Sequence, residues 1–256
     1  MLISMSRYLV LIAALSIVAL AGTSFASYNV SSINTTVTIS QNGSAYVTDV
    51  LHVTVGNASV EQYTVDRSGL NLTLSDWQSL IGPQLVPHVI NKRSGIYGFN
   101  LLPGPVFLQN ARHVANIYMH YYVSNIATIN QTGPRTYKYT FNASDLNFAQ
   151  GVGGVVLGQN MRLNIILPNA STVITAYPLP DYPSPSQNLT SAQALSWYAG
   201  EPLYSFELVF QVKTSTTTEV LDFFGSIYSA LGSLVYILIG GAVLLFIIYT
   251  YFKIGR

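Results

Sequence analysis

The chain has 256 residues, with eleven Lys and Arg against ten Asp and Glu, and no cysteine. So sparse and balanced a charge gives no basic patch to grip a nucleic-acid backbone, which argues against a nucleic-acid partner. Lack of cysteine removes thiol nucleophiles, iron–sulfur clusters, cysteine-ligated zinc and c-type haem attachment, and no cofactor is expected.

In chain order, MLISMSRYLVLIAALSIVALAGTSFAS opens with Arg7 ahead of an uncharged apolar run from Tyr8 to Ala21, followed by small residues at Ser24 and Ala26. A basic start, a short apolar run and a small-residue exit predict a secretory signal peptide over residues 1–26. An uncleaved signal anchor is the alternative.

Residues 27–213 then read as an all-β ectodomain, because apolar and polar residues alternate with period two. In INTTVTI, Ile33, Thr35, Val37 and Ile39 share one face; QNGS supplies an Asn-Gly turn, and the return strand sets Ala45, Val47, Leu51, Val53 and Val55 on one face with Asp49 among them. SDWQSLIG predicts a short helix with a capping box made by Ser75 and Gln78. Further strands are expected through Ala115–Val123, Tyr137–Phe141, Met161–Leu167 and Tyr204–Val212, with weaker ones at 171–177 and 193–198. Many antiparallel strands with one polar face predict an antiparallel β-sandwich. LLPGP (101–105) and PLPDYPSPS (178–186) read as exposed connections, and a split near 91–113 into two smaller sandwiches stays open.

Between two of these strands lies FAQGVGGVVLGQNM (148–161), with four glycines in residues 151–158. No G-K-[ST] follows it and a strand rather than a helix comes next, which disfavours a phosphate-cradling loop. The segment is expected to be a mobile apolar connection, with membrane insertion as the sharper alternative.

N-x-[ST] sequons occur at Asn29, Asn34, Asn42, Asn57, Asn71, Asn130, Asn142, Asn169 and Asn188, which is nine of the seventeen asparagines. With 46 Ser and Thr in 256 residues, chance alone gives about three. The excess predicts N-linked glycans on the ectodomain, and most of these positions fall in expected turns, strand ends or polar faces.

After a stalk and juxtamembrane segment (214–230), no charge interrupts residues 223–252, and LGSLVYILIGGAVLLFIIYTYF (231–252) is long enough at about 33 Å to span a hydrocarbon core as a helix. All ten acidic residues lie between Asp49 and Asp222, while Lys253 and Arg256 close the chain. Residues 253–256 are therefore expected inside, giving a cell-membrane protein with its ectodomain outside and its C-terminus cytoplasmic. Ser226, Ser229, Ala230, Ser233, Gly240 and Gly241 lie near one helical face, and small residues there permit close helix packing with a partner or a second copy.

Catalytic signatures are weak. His113 and His120, seven apart in one strand, point to opposite faces, and the four histidines (His52, His88, His113, His120) read as structural or surface residues. G-x-S-x-G and H-E-x-x-H are absent. Asp49 is expected to pair with an arginine such as Arg112, Arg135 or Arg162, or to act as an edge-strand charge.

The hairpin INTTVTISQNGSAYVTDVLHVTV, the strand pair LPNASTVITAYP, the segment ALSWYAGEPLYSFELVFQV and the C-terminal apolar run together resemble archaeal cell-surface single-pass membrane proteins with β-sandwich ectodomains. That resemblance implies topology and surface location and carries no catalytic residues. The expected function is a non-enzymatic structural or interaction role, as an envelope component or the exposed subunit of a membrane complex. Its partners would be membrane lipid, its own N-linked glycans, and a membrane or envelope protein or a second copy. An extracytoplasmic solute receptor or hydrolase with a non-local site is the alternative, and a fusogen the third.

Overall fold

The computed structural model describes residues 28–69, 72–151, 154–184 and 188–214, with isolated positions between 225 and 250. The chain is mostly β and builds two main sheets. β1 (Tyr28–Ile39) and β2 (Ala45–Val55) form the expected hairpin, with Ile39 opposite Ala45 and Thr35 opposite Asp49. Gly43 turns it at φ +76°, and a Cβ there would lie 2.8 Å from the Ala127 carbonyl, so the Asn-Gly signal marks both a left-handed turn and a close approach.

Beyond β2 come two helices, α1 (Val60–Ser68) and α2 (Leu74–Ile81). The helix α2 is where SDWQSLIG predicts it, but its capping box uses Thr73 and Asp76 rather than Ser75 and Gln78. The Asp76 backbone N–H donates to Thr73 Oγ1 at 3.3 Å, and the Asp76 carboxylate accepts from the Thr73 backbone N–H at 2.7 Å. Thr73 holds extended backbone angles while Ser75 is already helical, so only Thr73 can be the cap.

β3 (Ile96–Pro103), β4 (Phe107–Gln109) and β5 (Arg112–Val123) follow; β6 (Thr128–Gly133) and β7 (Thr136–Asn142) make a hairpin; β8 (Gln150–Gly151) and β9 (Gly154–Val155) a very short one. β10 (Met161–Ile166), β11 (Ser171–Tyr177), β12 (Ala194–Trp197) and β13 (Glu207–Lys213) complete the described strands. The larger sheet has seven strands in the order β12-β10-β1-β2-β5-β3, with β4 also on β5, and the smaller has four in the order β11-β13-β7-β6.

Three features depart from the sequence pattern. β10 runs parallel to β1, so the larger sheet is mixed and not wholly antiparallel; the chain returns to β1 only after a long crossover through β6–β9, which a parallel neighbour requires. Residues 96–103, which include part of LLPGP, form a strand on β5 despite Gly98 and Pro103, because Gly98 at φ +62° sits in a register irregularity and Pro103 ends the edge strand. The last strand begins at Glu207, leaving Tyr204 exposed and Phe206 buried ahead of it.

Alternation sorts the larger sheet into two faces. Ile33, Val37, Val47, Leu51, Val53, Ile117, Met119, Tyr121, Leu163 and Ile165 are buried, and they join Phe141, Leu208, Phe210 and Val212 of the smaller sheet in one core. An aromatic chain crosses between the sheets: Trp197 on β12 meets Phe206 at 5.1 Å, and Phe206 meets Phe141 on β7 at 5.4 Å, both edge to face. At the other end of β1, Tyr28, Tyr63 of α1 and Trp77 of α2 stack edge to face.

The edge strand β12 is covered by the proline-rich connection. Asp181 and Tyr182 donate to the Ser196 carbonyl, Ser196 donates back to Tyr182, and Trp197 Nε1 donates to the Pro178 carbonyl at 2.9 Å. Those bonds bury Pro180 and Pro183 in a stretch whose composition reads as solvent-exposed, and they consume backbone groups that otherwise invite strand addition. Phe206→Ala removes the middle ring of the inter-sheet chain; a loss of about 3–5 kcal/mol in unfolding free energy is expected by urea denaturation.

Candidate functional site

Asp49 is the only fully buried acidic side chain among the described residues, and it meets no arginine. It lies on the core side of β2, between β1 and β5, so it is not an edge charge either, whereas Arg162 sits on the opposite face bonded to Asn164. Thr35 Oγ1 donates to one carboxylate oxygen at 2.6 Å; Tyr121 Oη and the His88 backbone N–H donate to the other at 2.8 and 3.2 Å. The His88 ring nitrogen Nδ1 stands 3.3 Å from the first oxygen without hydrogen-bond geometry, and Phe148 stacks on that ring at 5.1 Å. The Val89 N–H donates to Tyr121 Oη at 3.1 Å, which continues the network into the backbone of 88–89. This cluster has the residue types of a catalytic relay but is sealed: Thr35, Asp49 and Tyr121 are 0% exposed and His88 2%. Its chemistry is the hydrogen bonding of a buried carboxyl group, which anchors the segment through His88 to β1, β2 and β5.

On the other face of the same strands, the residues between the core positions build a neutral polar and aromatic surface. Tyr46 on β2 pairs in register with Tyr122 on β5, which pairs with Tyr97 on β3; Thr48 pairs with His120, and His52 with Asn116. Tyr97 and Tyr122 stack at 5.4 Å, Tyr46 and His120 at 5.9 Å, and Tyr118 and His120 at 6.2 Å. His52 Nδ1 lies 2.7 Å from Asn116 Oδ1 and its Nε2 lies 3.2 Å from Asn34 Nδ2. A neutral imidazole with its proton on Nδ1 satisfies both contacts, donating to Asn116 and accepting from Asn34. Tyr46, Tyr97 and Tyr122 remain 37%, 49% and 44% exposed. This arrangement offers hydroxyls, amides and ring edges for contact, and Thr48 Oγ1 lies 3.1 Å from His120 Nδ1 within it.

The tyrosine face escapes a search for motifs because it occupies the even positions of strands whose odd positions carry the core. Reading the second register of β2 and β5 for Tyr46, Tyr118 and Tyr122 is the signal that finds it. His113 and His120 do point to opposite sides: His113 bonds Asn57 at 2.9 Å near the end of β2, while His120 joins the tyrosines. Among the described residues no group of three His, Asp or Glu side chains is placed to hold a metal.

Seven sequon asparagines, Asn29, Asn42, Asn57, Asn130, Asn142, Asn169 and Asn188, are exposed, and Asn34 is half-buried in mid-sheet against His52. Asn71 lies outside the described residues. Two of the seven hold tight Asx turns: Asn42 Oδ1 accepts from the Ser44 backbone N–H at 3.1 Å, and Asn188 Oδ1 from that of Thr190 at 3.0 Å. Of the small-residue stripe, Ser226, Ser229, Gly240 and Gly241 are helical and exposed, whereas Ala230 and Ser233 lie outside the described residues. Among the described residues no helix is long and apolar enough to cross a membrane, and most of 231–252 falls outside them.

Two of the open clefts among the described residues flank the sheets. One of about 410 Å³ is lined by Lys92, Ser144, Asn147, Gly154 and Tyr204, beside Asp145, whose carboxyl is held above its usual range by burial against the opposing pull of Lys92 and Arg93. The other, about 600 Å³, lies between the β1–β2 turn and the β5–β6 turn and contains Asn42, Asn91, Arg93, Asn125 and Thr128. The glycine-rich segment borders the first: β8 and β9 pair across its tip, Leu157 donates to the Glu201 carbonyl, and Leu203 donates to that of Val155. Residues 152 and 153 lie outside the described set.

No protein-family model and no curated protein sequence matches the chain. Among solved structures, the folded domain of the Mycobacterium tuberculosis LppM protein, determined by NMR, is similar at 8% identity, covering 75% of this chain and 92% of its own, with a TM-score of 0.28. A likeness at that score assigns neither activity nor partner.

Burial pushes the Tyr63 hydroxyl up to about 12 from the usual 10.0, and burial beside the Asp49 carboxylate pushes Tyr121 upward as well. The folded chain holds these protons more tightly than the unfolded one. The Tyr63 contribution to stability is therefore complete below pH about 10 and is lost as pH rises from there through about 12, and that of Tyr121 is lost in the same direction. Thermal unfolding followed against pH is expected to show a flat melting temperature up to about pH 10 and a fall beyond it, and Tyr63→Phe is expected to make that fall shallower.

Proposed function

We propose that this chain is an N-glycosylated, membrane-anchored cell-surface protein of the archaeal surface type, whose two sheets form a β-sandwich ectodomain outside the cell and whose C-terminus is cytoplasmic. Its role is contact, as an envelope component or the exposed subunit of a membrane complex, and not catalysis. The observation that carries this reading is the placement of the sequons. Seven of the eight described sequon asparagines are exposed, at turns, strand ends and outward positions where a glycan meets solvent.

Their distribution also leaves one area bare. Asn29 and Asn57 lie towards one end of the β1–β2 pair, Asn42 at the turn at the other end, and Asn130, Asn142, Asn169 and Asn188 on the smaller sheet or in connections. On the tyrosine face the one sequon is Asn34, half-buried against His52, and none lies among Tyr46, Tyr97, Tyr118, His120 and Tyr122. Tyrosine-rich neutral surfaces of this kind suit protein contact, since the ring gives area at small entropic cost and the hydroxyl a hydrogen bond.

Glycopeptide mass spectrometry on full chain extracted from native membranes tests the reading. Glycans are expected on the seven exposed asparagines and not on Asn34, whose amide is half-buried against His52; a chain bare at every sequon, or one released from membranes by alkaline carbonate, overturns it. The contact role predicts a particle heavier than the monomer in mild detergent. Tyr97→Ser with Tyr122→Ser is expected to reduce it to the monomer while leaving the melting temperature within about 2 °C, and a monomer before substitution refutes the role.

A further inference from the structure

The cleft of about 600 Å³ at the β1–β2 turn has a sequon asparagine in its wall. Asn42 Oδ1 is engaged twice, by the Ser44 backbone N–H at 3.1 Å and by Ser44 Oγ at 2.5 Å. That leaves Nδ2, the atom an N-linked glycan is attached to, as the free end of the side chain. We propose that the glycan on Asn42 folds back into this cleft and acts as a strut between the two sheets. The inference rests on the glycosylated reading above and adds to it the site where one glycan is bound by the chain that carries it.

The cleft's chemistry fits a saccharide. Its walls carry amides and hydroxyls beside the apolar Ala127 and Ile129, with Arg93 as the one charged side chain, whose guanidinium N–H groups can donate to sugar hydroxyls. Asn125 and Thr128 present side chains that no other described residue engages, whereas Asn91 is spent on the carbonyls of Ser124 and Asn125 and on the N–H of Arg93. Its volume lies inside the roughly 300–1,000 Å³ span of small-molecule clefts. A tethered first sugar also meets these groups at high effective concentration, so weak hydrogen bonds suffice to hold it.

Position gives the strut its consequence. The β1–β2 turn belongs to the larger sheet, and Thr128 and Ile129 to β6 at the edge of the smaller one. Only two hydrogen bonds link the turn to that neighbour among the described residues: Ala127 N–H to the Gly43 carbonyl at 3.1 Å, and Tyr139 Oη to the Gln41 carbonyl at 2.6 Å. A glycan seated there adds contacts at a thinly bonded joint.

The test uses the full chain produced in a host that N-glycosylates exported proteins and in one that does not, as wild type, Asn42→Gln and Asn169→Gln. Asn42→Gln also breaks the Asx turn, so the informative quantity is the difference between hosts. The expected result is a melting temperature lowered by roughly 2–4 °C more in the glycosylating host than in the other, with faster amide exchange at residues 91–94 and 125–129. Asn169→Gln is expected to show neither. An equal shift in both hosts, or unchanged exchange, overturns the strut. Glycopeptide analysis of the same samples separates the two levels: a bare Asn42 beside occupied neighbours sinks this inference alone, and a chain bare at every sequon sinks the reading beneath it as well.

Discussion

A carboxylate on the core side of the middle of a sheet constrains everything around it. Asp49 cannot be left without partners, because a buried polar group that lacks them costs about 1–3 kcal/mol. Its donors come from three directions: Thr35 directly across on β1, Tyr121 diagonally across on β5, and the backbone of His88 from above the sheet. A slip of β1 or β5 by two residues would keep every apolar side chain facing inward but would move Thr35 or Tyr121 away. Hydrophobic alternation fixes which face is buried; Asp49 fixes which residues meet.

The outer surface inherits that register. Since Thr35 opposes Asp49, Asn34 comes to lie beside Val50 and within reach of His52, and since Tyr121 reaches Asp49, Tyr122 lands opposite Tyr46. The stacked tyrosines and the Asn34–His52–Asn116 ladder are thus consequences of a buried contact one pleat away. This coupling explains how a surface made of flexible neutral side chains is held in one arrangement: its geometry is set by backbone pairing whose alternatives are penalised inside the core.

Much of the sheet structure is legible in the sequence because strands with one wet face write a period of two. Residues 171–177 form β11 and 194–197 form β12, and the Asn-Gly turn closes the first hairpin. Three kinds of element are not legible, each for a physical reason. Helix α1 buries only Tyr63, so it has almost no apolar stripe to read. β3 carries a glycine, a register irregularity and a terminal proline, all breaker signals, and is held by its pairing with β5. The parallel seating of β10 on β1 is a matter of topology, which no local pattern encodes. For the site, Asp49 stood out as a charge in an apolar register, but its donors are a threonine and a tyrosine that read as ordinary core, and a backbone N–H that has no sequence signature.

The glycine-rich stretch shows how little composition says without a neighbour. Four glycines among valines suggest looseness, yet Gly154 is required by contact: at φ +131° an added Cβ would stand 2.8 Å from the Cβ of Tyr204. The backbone on either side is committed to residues 200–203, through Leu157 to Glu201, Leu203 to Val155, and Gly200 to Leu157. Leu157 itself is fully buried. Small residues here let one chain segment lie close against another beneath a cleft, and the valines supply the half-buried flank that holds them there. Glycine in this segment therefore reports the proximity of Tyr204, a residue fifty positions away, and neither a phosphate ligand nor a lack of structure is needed to account for it.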